Sequence, residues 1–485
     1  MKKLNIKSPL RFAILFVMMT FMSCQDWLSI APESDLIKEK FWTKTADVNG
    51  ALAAAYNALR DASLQSLIFG ELRADLVTFP GNSFSEYAKI AASNISPTNG
   101  VINWKAYYSA INLANTLMYY DDEVFEKDQT FTQKMKDGIE AEALFIRSMA
   151  YFYLVRLWKD VPLVTEASIS DTSNLYIGKS SEKEVLNQVI GDLLMAKDLA
   201  YTTEFMGSDY FYGRANKYSI MALLADVYLW NEQYQKCIDY CDEIINTSFY
   251  GLEETETWFN IYYPGNSQRE SIIELQYNDN LDGQENPVYY DMINVPGGGT
   301  QAVLNTKNIT RIMVTEDARN IFGKGAIWKY RGKDNLGLIP RSGTERDANW
   351  ILYRYADILL MKAEAAIELD RFDEANALIG ETLLRAGLPY EETYDKELLR
   401  QSLLDERGRE FLFEGKRWFD LLRAAKRNHF QDKQIIIDMI LSGADIKQQA
   451  ILRTKVFDTL SYYLPIAEHE LLYNQNLKQN PFYDR

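Results

Sequence analysis

Apolar positions in this chain fall at helical spacing through most of its length. Leu52, Ala55, Tyr56 and Leu59 lie three and one apart in turn, a stripe that predicts a helix over Thr45–Arg60. Further helices are predicted over Asn103–Tyr119, Lys136–Leu157, Glu182–Tyr201, Lys217–Asn231 and Tyr353–Leu369. A helix that is apolar on one face must bury it on a neighbour, so these elements are expected to pair, at about 45–119, 136–201, 217–246 and 351–386.

Two of the pairs share a spacing. Ala225, Tyr228, Tyr234 and Cys237 step by three, six and three, and so do Ala363, Ala366, Phe372 and Ala375. Small residues there let two antiparallel helices approach, and the aromatic opening the second helix wedges between them. This is the tetratricopeptide pattern, in which each helix pair buries its face on the next. Between the third and fourth pairs the character changes. Residues 249–346 hold 11 of the 25 glycines and 4 of the 12 prolines, together with a strand-like run from Ile272 to Tyr277. The expected fold is therefore mainly α, a tetratricopeptide-like solenoid of helical pairs with an irregular, loop- and strand-containing insert.

The N-terminus changes the picture of where the protein works. Lys2, Lys3, Lys7 and Arg11 precede an apolar run from Phe12 to Met22, followed by Ser23 and Cys24. A basic stretch, a short apolar stretch and a small residue describe a secretory signal over residues 1–23. A membrane span needs about 20 apolar residues, which this run lacks. Cys24 stands where a bacterial lipoprotein carries its acylated cysteine, and residues 24–485 would form one domain on that anchor. Removal of 1–23 takes away four basic and no acidic residues, leaving 48 basic against 68 acidic side chains. Such a charge disfavours nucleic acid as a partner. Cys24 apart, only Cys237 and Cys241 remain, and only His429 and His469 among histidines, so neither a disulfide framework nor a zinc site is implied, and no cofactor is expected. No nucleophile elbow, kinase set or phosphate loop is present, and the chain is not expected to be an enzyme.

Long motifs resemble the SusD/RagB family. They are Ala141-Glu142-Ala143-Leu144-Phe145-Ile146-Arg147 running to Trp158-Lys159-Asp160-Val161-Pro162-Leu163, Glu406-Arg407-Gly408-Arg409-Glu410 with Phe413-Glu414-Gly415-Lys416-Arg417-Trp418-Phe419-Asp420-Leu421, and Tyr463-Leu464-Pro465-Ile466 running to Asn480-Pro481. The resemblance implies a lipid-anchored, surface-exposed protein of the outer membrane. It would capture an oligomeric nutrient, an oligosaccharide first and an oligopeptide as the alternative, and pass it to a SusC-like TonB-dependent barrel transporter.

The motif residues themselves read better as structure. Trp418, Phe419, Leu422 and Phe411 fall at helical spacings, consistent with a packed helix whose Arg417 and Asp420 form buried ion pairs. Cys237 and Cys241 read as small apolar residues facing the repeat interface. Asp279, Asn280, Asp282, Gly283 and Glu285 lack calcium-loop spacing and read as a solvated turn. Pro296 to Thr300 reads as a flexible turn.

Ligand contacts are expected in loops of mixed aromatic and polar character, because aromatic rings stack on sugar faces while amides and guanidinium groups bond hydroxyls. Two stretches qualify. The first, within 79–99, offers Phe79, Phe84, Tyr87, Asn94 and Asn99; the second, in the insert, offers Tyr289, Tyr290, Trp328, Tyr330 and Arg331. The first loop has no tryptophan, unlike the starch-binding relatives of the family it resembles. Within 319–346, Arg319, Lys324, Lys329, Arg331, Lys333, Arg341 and Arg346 outnumber Asp334 and Glu345, which raises the expectation of a local anion site if Trp328–Arg331 is a strand.

Overall fold

The computed structural model describes residues 41–79, 85–169, 174–204, 210–281, 283–288, 302–320, 328–342, 344–444 and 446–484. The signal segment and Cys24, as well as Phe84, Asp282, Tyr289, Tyr290, Pro296–Thr300 and Lys324, lie outside them.

Eight long helices form the four expected pairs. Helices α1 (Thr45–Asp61) and α2 (Lys105–Lys127) pack together, as do α3 (Gln133–Trp158) and α4 (Glu182–Leu199), α5 (Lys217–Trp230) and α6 (Tyr234–Ile245), and α7 (Tyr355–Glu368) and α8 (Phe372–Arg385). Between pairs, α2 packs on α3, α4 on α5 and α6 on α7. The solenoid thus continues in space from α6 to α7 although more than a hundred residues separate them in sequence, and the insert loops out of an unbroken stack.

The third and fourth pairs are related residue by residue at an offset of 138 positions. Both three-residue connections place their middle residue in the left-handed region, Glu232 at φ +56° and Asp370 at φ +59°. Both are closed by the same bond, Gln233 N–H to Tyr228 O and Arg371 N–H to Ala366 O, each 2.8 Å. Ala225, Ala363, Cys237 and Ala375 are completely buried at the helix contacts. Burial among apolar neighbours raises the Cys237 thiol well above its ordinary pKa, as a packed small residue requires.

Strand content is small. Strand β4 (Ser271–Leu275) pairs antiparallel with β6 (Trp350–Arg354), with Leu275 opposite Trp350 and Ser271 opposite Arg354. The expected start of a helix at Tyr353 is therefore corrected: Trp350–Arg354 is fully buried as strand, and α7 begins at Tyr355. Two short ladders join β1 (Val77–Thr78) to β5 (Val303–Leu304), and β2 (Val161–Pro162) to β3 (Lys179–Ser180).

Helices α9 (Lys396–Glu410) and α10 (Arg417–Phe430) follow the fourth pair and carry the charged motifs inward. Arg417 grips Asp75 at 2.7 Å, Asp420 accepts from Arg407 and Arg423 at 2.9 Å each, and Trp418 is buried beneath the Arg73 guanidinium. Phe411 belongs to the turn after α9 rather than to the α10 face. Arg354, buried without exposure, donates to Glu270 and Glu410 at 2.6 Å and to Glu414 at 3.0 Å. Charges taken so far from water persist only when each is met by opposite charge and hydrogen bonds. Burial alone would push the Glu410 carboxyl up; Arg385, Arg354 and Arg319 more than offset it and hold it well below the usual carboxylate range.

Candidate functional site

The first sequence-predicted loop begins beside the point at which part of the insert rejoins the core. Thr78, the last residue of β1, pairs with Val303 of β5, so the first loop leaves the core beside the residue at which the insert's middle stretch returns. Phe79 follows directly and is half-buried, its ring 5.7 Å from that of Tyr87 on the short helix Glu86–Ala91. Asn94 is exposed. Asn99 is buried: its amide nitrogen donates to Glu86 O at 3.3 Å and its oxygen accepts from Val101 N at 3.0 Å, so its side chain holds the loop.

The other predicted contacts in the insert are corrected by their burial. Trp328–Arg331 is a single helical turn, not a strand, so Trp328 and Tyr330 do not share one outward face. Trp328 is buried against Trp258 and Phe259 in a separate apolar cluster and donates its indole N–H to Asp334 O. Tyr330 is 1 % exposed and stacks on Trp350 at 5.4 Å, which occupies the ring face a sugar would need. Arg331 is half-buried at the base of the hairpin closed by the Gly332–Pro340 bridge.

Four cations of the expected positive patch are likewise spent on ion pairs within the fold. Arg319 is buried with Asp317, Glu406 and Glu410, and Lys329 donates to Glu414 at 2.7 Å and to Glu410 O at 2.6 Å. Lys333 pairs with Glu345 and Arg341 with Asp347. Arg319 and Lys329 thereby pin the insert to the acidic inner side of α9 and the turn after it. Composition showed the excess of positive charge but not the acids that meet it.

Beyond the first loop the surface opens into two hollows on either side of the short helix Glu468–Tyr473, none of whose residues is buried. One, of about 300 Å3, lies between Pro97, Thr98 and Asn99 and the helix residues Glu468, His469 and Leu472. The larger, of about 630 Å3, runs between the start of α2, residues 162–168 and 174–177, and residues 470–477. Trp104, Tyr108, Tyr176 and Tyr473 line it with the amides of Asn112, Asn174 and Asn474. Its volume is within the roughly 300–1,000 Å3 of small-molecule sites, and its lining mixes rings with amides as sugar recognition requires. Sequence reading missed this groove. The signals were present in Asn174-Leu175-Tyr176, an apolar pair in an otherwise polar loop, and in Tyr473-Asn474, which read as part of a family motif.

Comparison with known proteins bears on the fold. A family model described as "SusD family" matches residues 326–483, and one described as "Starch-binding associating with outer membrane" matches residues 26–229. SusD-like protein P38 of Formosa agariphila is 27 % identical over 470 residues, covering 86 % of this chain and 91 % of that protein. A crystal structure of a SusD superfamily protein from Bacteroides vulgatus superposes with a TM-score of 0.73 at 23 % identity, covering 91 % of this chain and all of that one. A laminarin-binding SusD-like protein superposes with a TM-score of 0.71 at 21 % identity, covering 90 % and 99 %. These superpositions show a shared fold.

Proposed function

Because the chain belongs to the SusD family, we propose that it is a cell-surface binding protein that captures an oligosaccharide at the outer membrane and delivers it to a SusC-like TonB-dependent transporter. The observation that carries this reading is the match of residues 26–229 to the family described as starch-binding and associating with the outer membrane. The fold shared with a laminarin-binding protein supports a glycan as the captured oligomer. Cys24, directly after the apolar leader, would be the lipid-bearing residue that keeps the protein at the membrane. The loops leaving the β1–β5 ladder form the capture site in this reading, with Phe79, Phe84, Tyr87, Asn94, Tyr289 and Tyr290 as its contacts, Asn99 as the residue that shapes the first loop, and Arg331, at the base of the Gly332–Pro340 hairpin, as a further contact from the insert. Binding rather than turnover is the expected activity.

The test is calorimetric titration of the purified protein with pools of neutral glycans, uronate-bearing glycans and oligopeptides. Saturable heat is expected with a glycan pool, lost in a Tyr289→Ala/Tyr290→Ala variant. Heat with peptides alone would replace the glycan reading by peptide capture.

A further inference from the structure

The groove between α2 and the C-terminal residues owes nothing to the loops on the β1–β5 ladder. Its walls come from three separate parts of the chain and are stitched together by side chains. Tyr108 donates its hydroxyl to Pro162 O at 2.7 Å, and Asn112 accepts from Ser168 N at 3.0 Å. On the far side Asn474 donates to Ile177 O at 2.9 Å, Asn476 donates to Tyr176 O at 2.6 Å, and Asn174 accepts from Tyr176 N at 3.0 Å. Tyr176 is thus held by its main chain on both sides while the residue stays 61 % exposed, and Tyr473, lining the same groove, is 77 % exposed. Fixing a backbone so firmly around rings that bury little of their own surface costs entropy without a matching gain in packing. A ligand that stacks on those rings would recover it, and a wall ordered in advance lowers the cost of binding.

We infer that this groove is a second saccharide site, taking a neutral oligosaccharide between Tyr176 and Tyr473. Rings supply faces for the apolar C–H surface of a sugar, and the amide nitrogens of Asn112 and Asn174, whose oxygens hold the wall, can donate to its hydroxyls at the same rim. Lys105 and Glu470 on the lining carry opposite charge, so no net charge selects an anion. An extended peptide would need free main-chain groups along a wall. Here the carbonyls of Pro162, Val164, Tyr176 and Ile177 and the N–H groups of Val164, Ser168 and Tyr176 are already bonded within the protein.

The test titrates laminarihexaose and maltohexaose separately into the wild type, a Tyr176→Ala/Tyr473→Ala variant, a Tyr176→Phe/Tyr473→Phe variant and the Tyr289→Ala/Tyr290→Ala loop variant. Both groove tyrosines are exposed, so the substitutions leave the core intact. At least one hexasaccharide should bind the wild type, with a groove component that weakens about tenfold or more in the alanine pair, stays within about twofold in the phenylalanine pair, because the ring face does the stacking, and persists in the loop variant. Binding unchanged in the alanine pair, or no hexasaccharide binding to the wild type, overturns the inference; so does a hydrophobic hexapeptide that displaces the sugar from the loop variant. Loss confined to the loop variant would leave the capture site standing without the groove, and loss confined to the groove variant would do the reverse.

Discussion

At the scale of single residues, charge placement governs this protein more than its net charge does. Glu71 shows it most clearly. It is wholly buried, and one carboxyl oxygen accepts from the N–H groups of Gly415 and Lys416 at 2.9 and 3.2 Å, while among the described residues the other has no partner. Burial pushes its pKa from 4.5 up to about 8, against the downward pull of those N–H groups and of Lys329. An acid whose folded pKa is raised keeps a proton that the unfolded chain has already released. Stability from this group is therefore present below about 4.5 and is lost as pH climbs towards about 8. Glu71→Gln keeps the acceptor and removes the titration, so the melting temperature of the variant should gain on the wild type between about pH 5 and about pH 8. Parallel curves would mean that Glu71 is ionised in the fold throughout that range. Trp328 and Tyr330 carry the opposite lesson. Next to cations they read as a recognition strip, yet Lys329 between them reaches inward to Glu414 and the rings follow it into the interior.

At the scale of elements, the repeat read from four residues extends to whole helices, turns and buried charges. Position 226 corresponds to 364 at the offset of 138, and both hold acids. Asp226 accepts from Tyr353 at 2.8 Å and lies 3.6 Å from Arg156, and Glu364 accepts from Arg423 at 2.7 Å. Each pair thus turns an acid towards an arginine supplied by a different helix. Ala225 and Ala363 should respond alike to enlargement. Ala225→Trp and Ala363→Trp each force a large ring into a closed helix contact, at a cost of roughly 1–3 kcal/mol or more. Chemical denaturation should show comparable losses at the two sites. An unchanged midpoint at either one would mean that its helices are not packed in the equivalent register. Period alone sufficed to find these helices. It could not set the start of α7, because Trp350–Tyr353 is apolar on every residue and a buried strand has no alternation to betray it.

At the scale of the whole molecule, the solenoid carries the candidate binding surface, and in the proposed arrangement the N-terminal leader would place it. Among the described residues no helix is long and apolar enough to cross a membrane. In the proposed arrangement attachment then rests on Cys24, and Cys24→Ala should move the protein from the membrane fraction to the soluble fraction or stall its precursor. Fatty-acid labelling that persists in the variant would overturn that placement. The amino-acid sequence by itself determined the helical class, the four pairs, the insert and the inward role of the Arg417–Asp420 motif, since these depend on local periodicity and on repeats that need no partner to be recognised. Tertiary structure alone decided which charges were free and where a groove could form. Arg319 meets Glu406 across 87 positions, and Asn476 meets Tyr176 across 300. Pairings at such separations follow from how helices stack, and a side chain's exposure is a property of its neighbours in space; neither is encoded in the residues beside it in the chain.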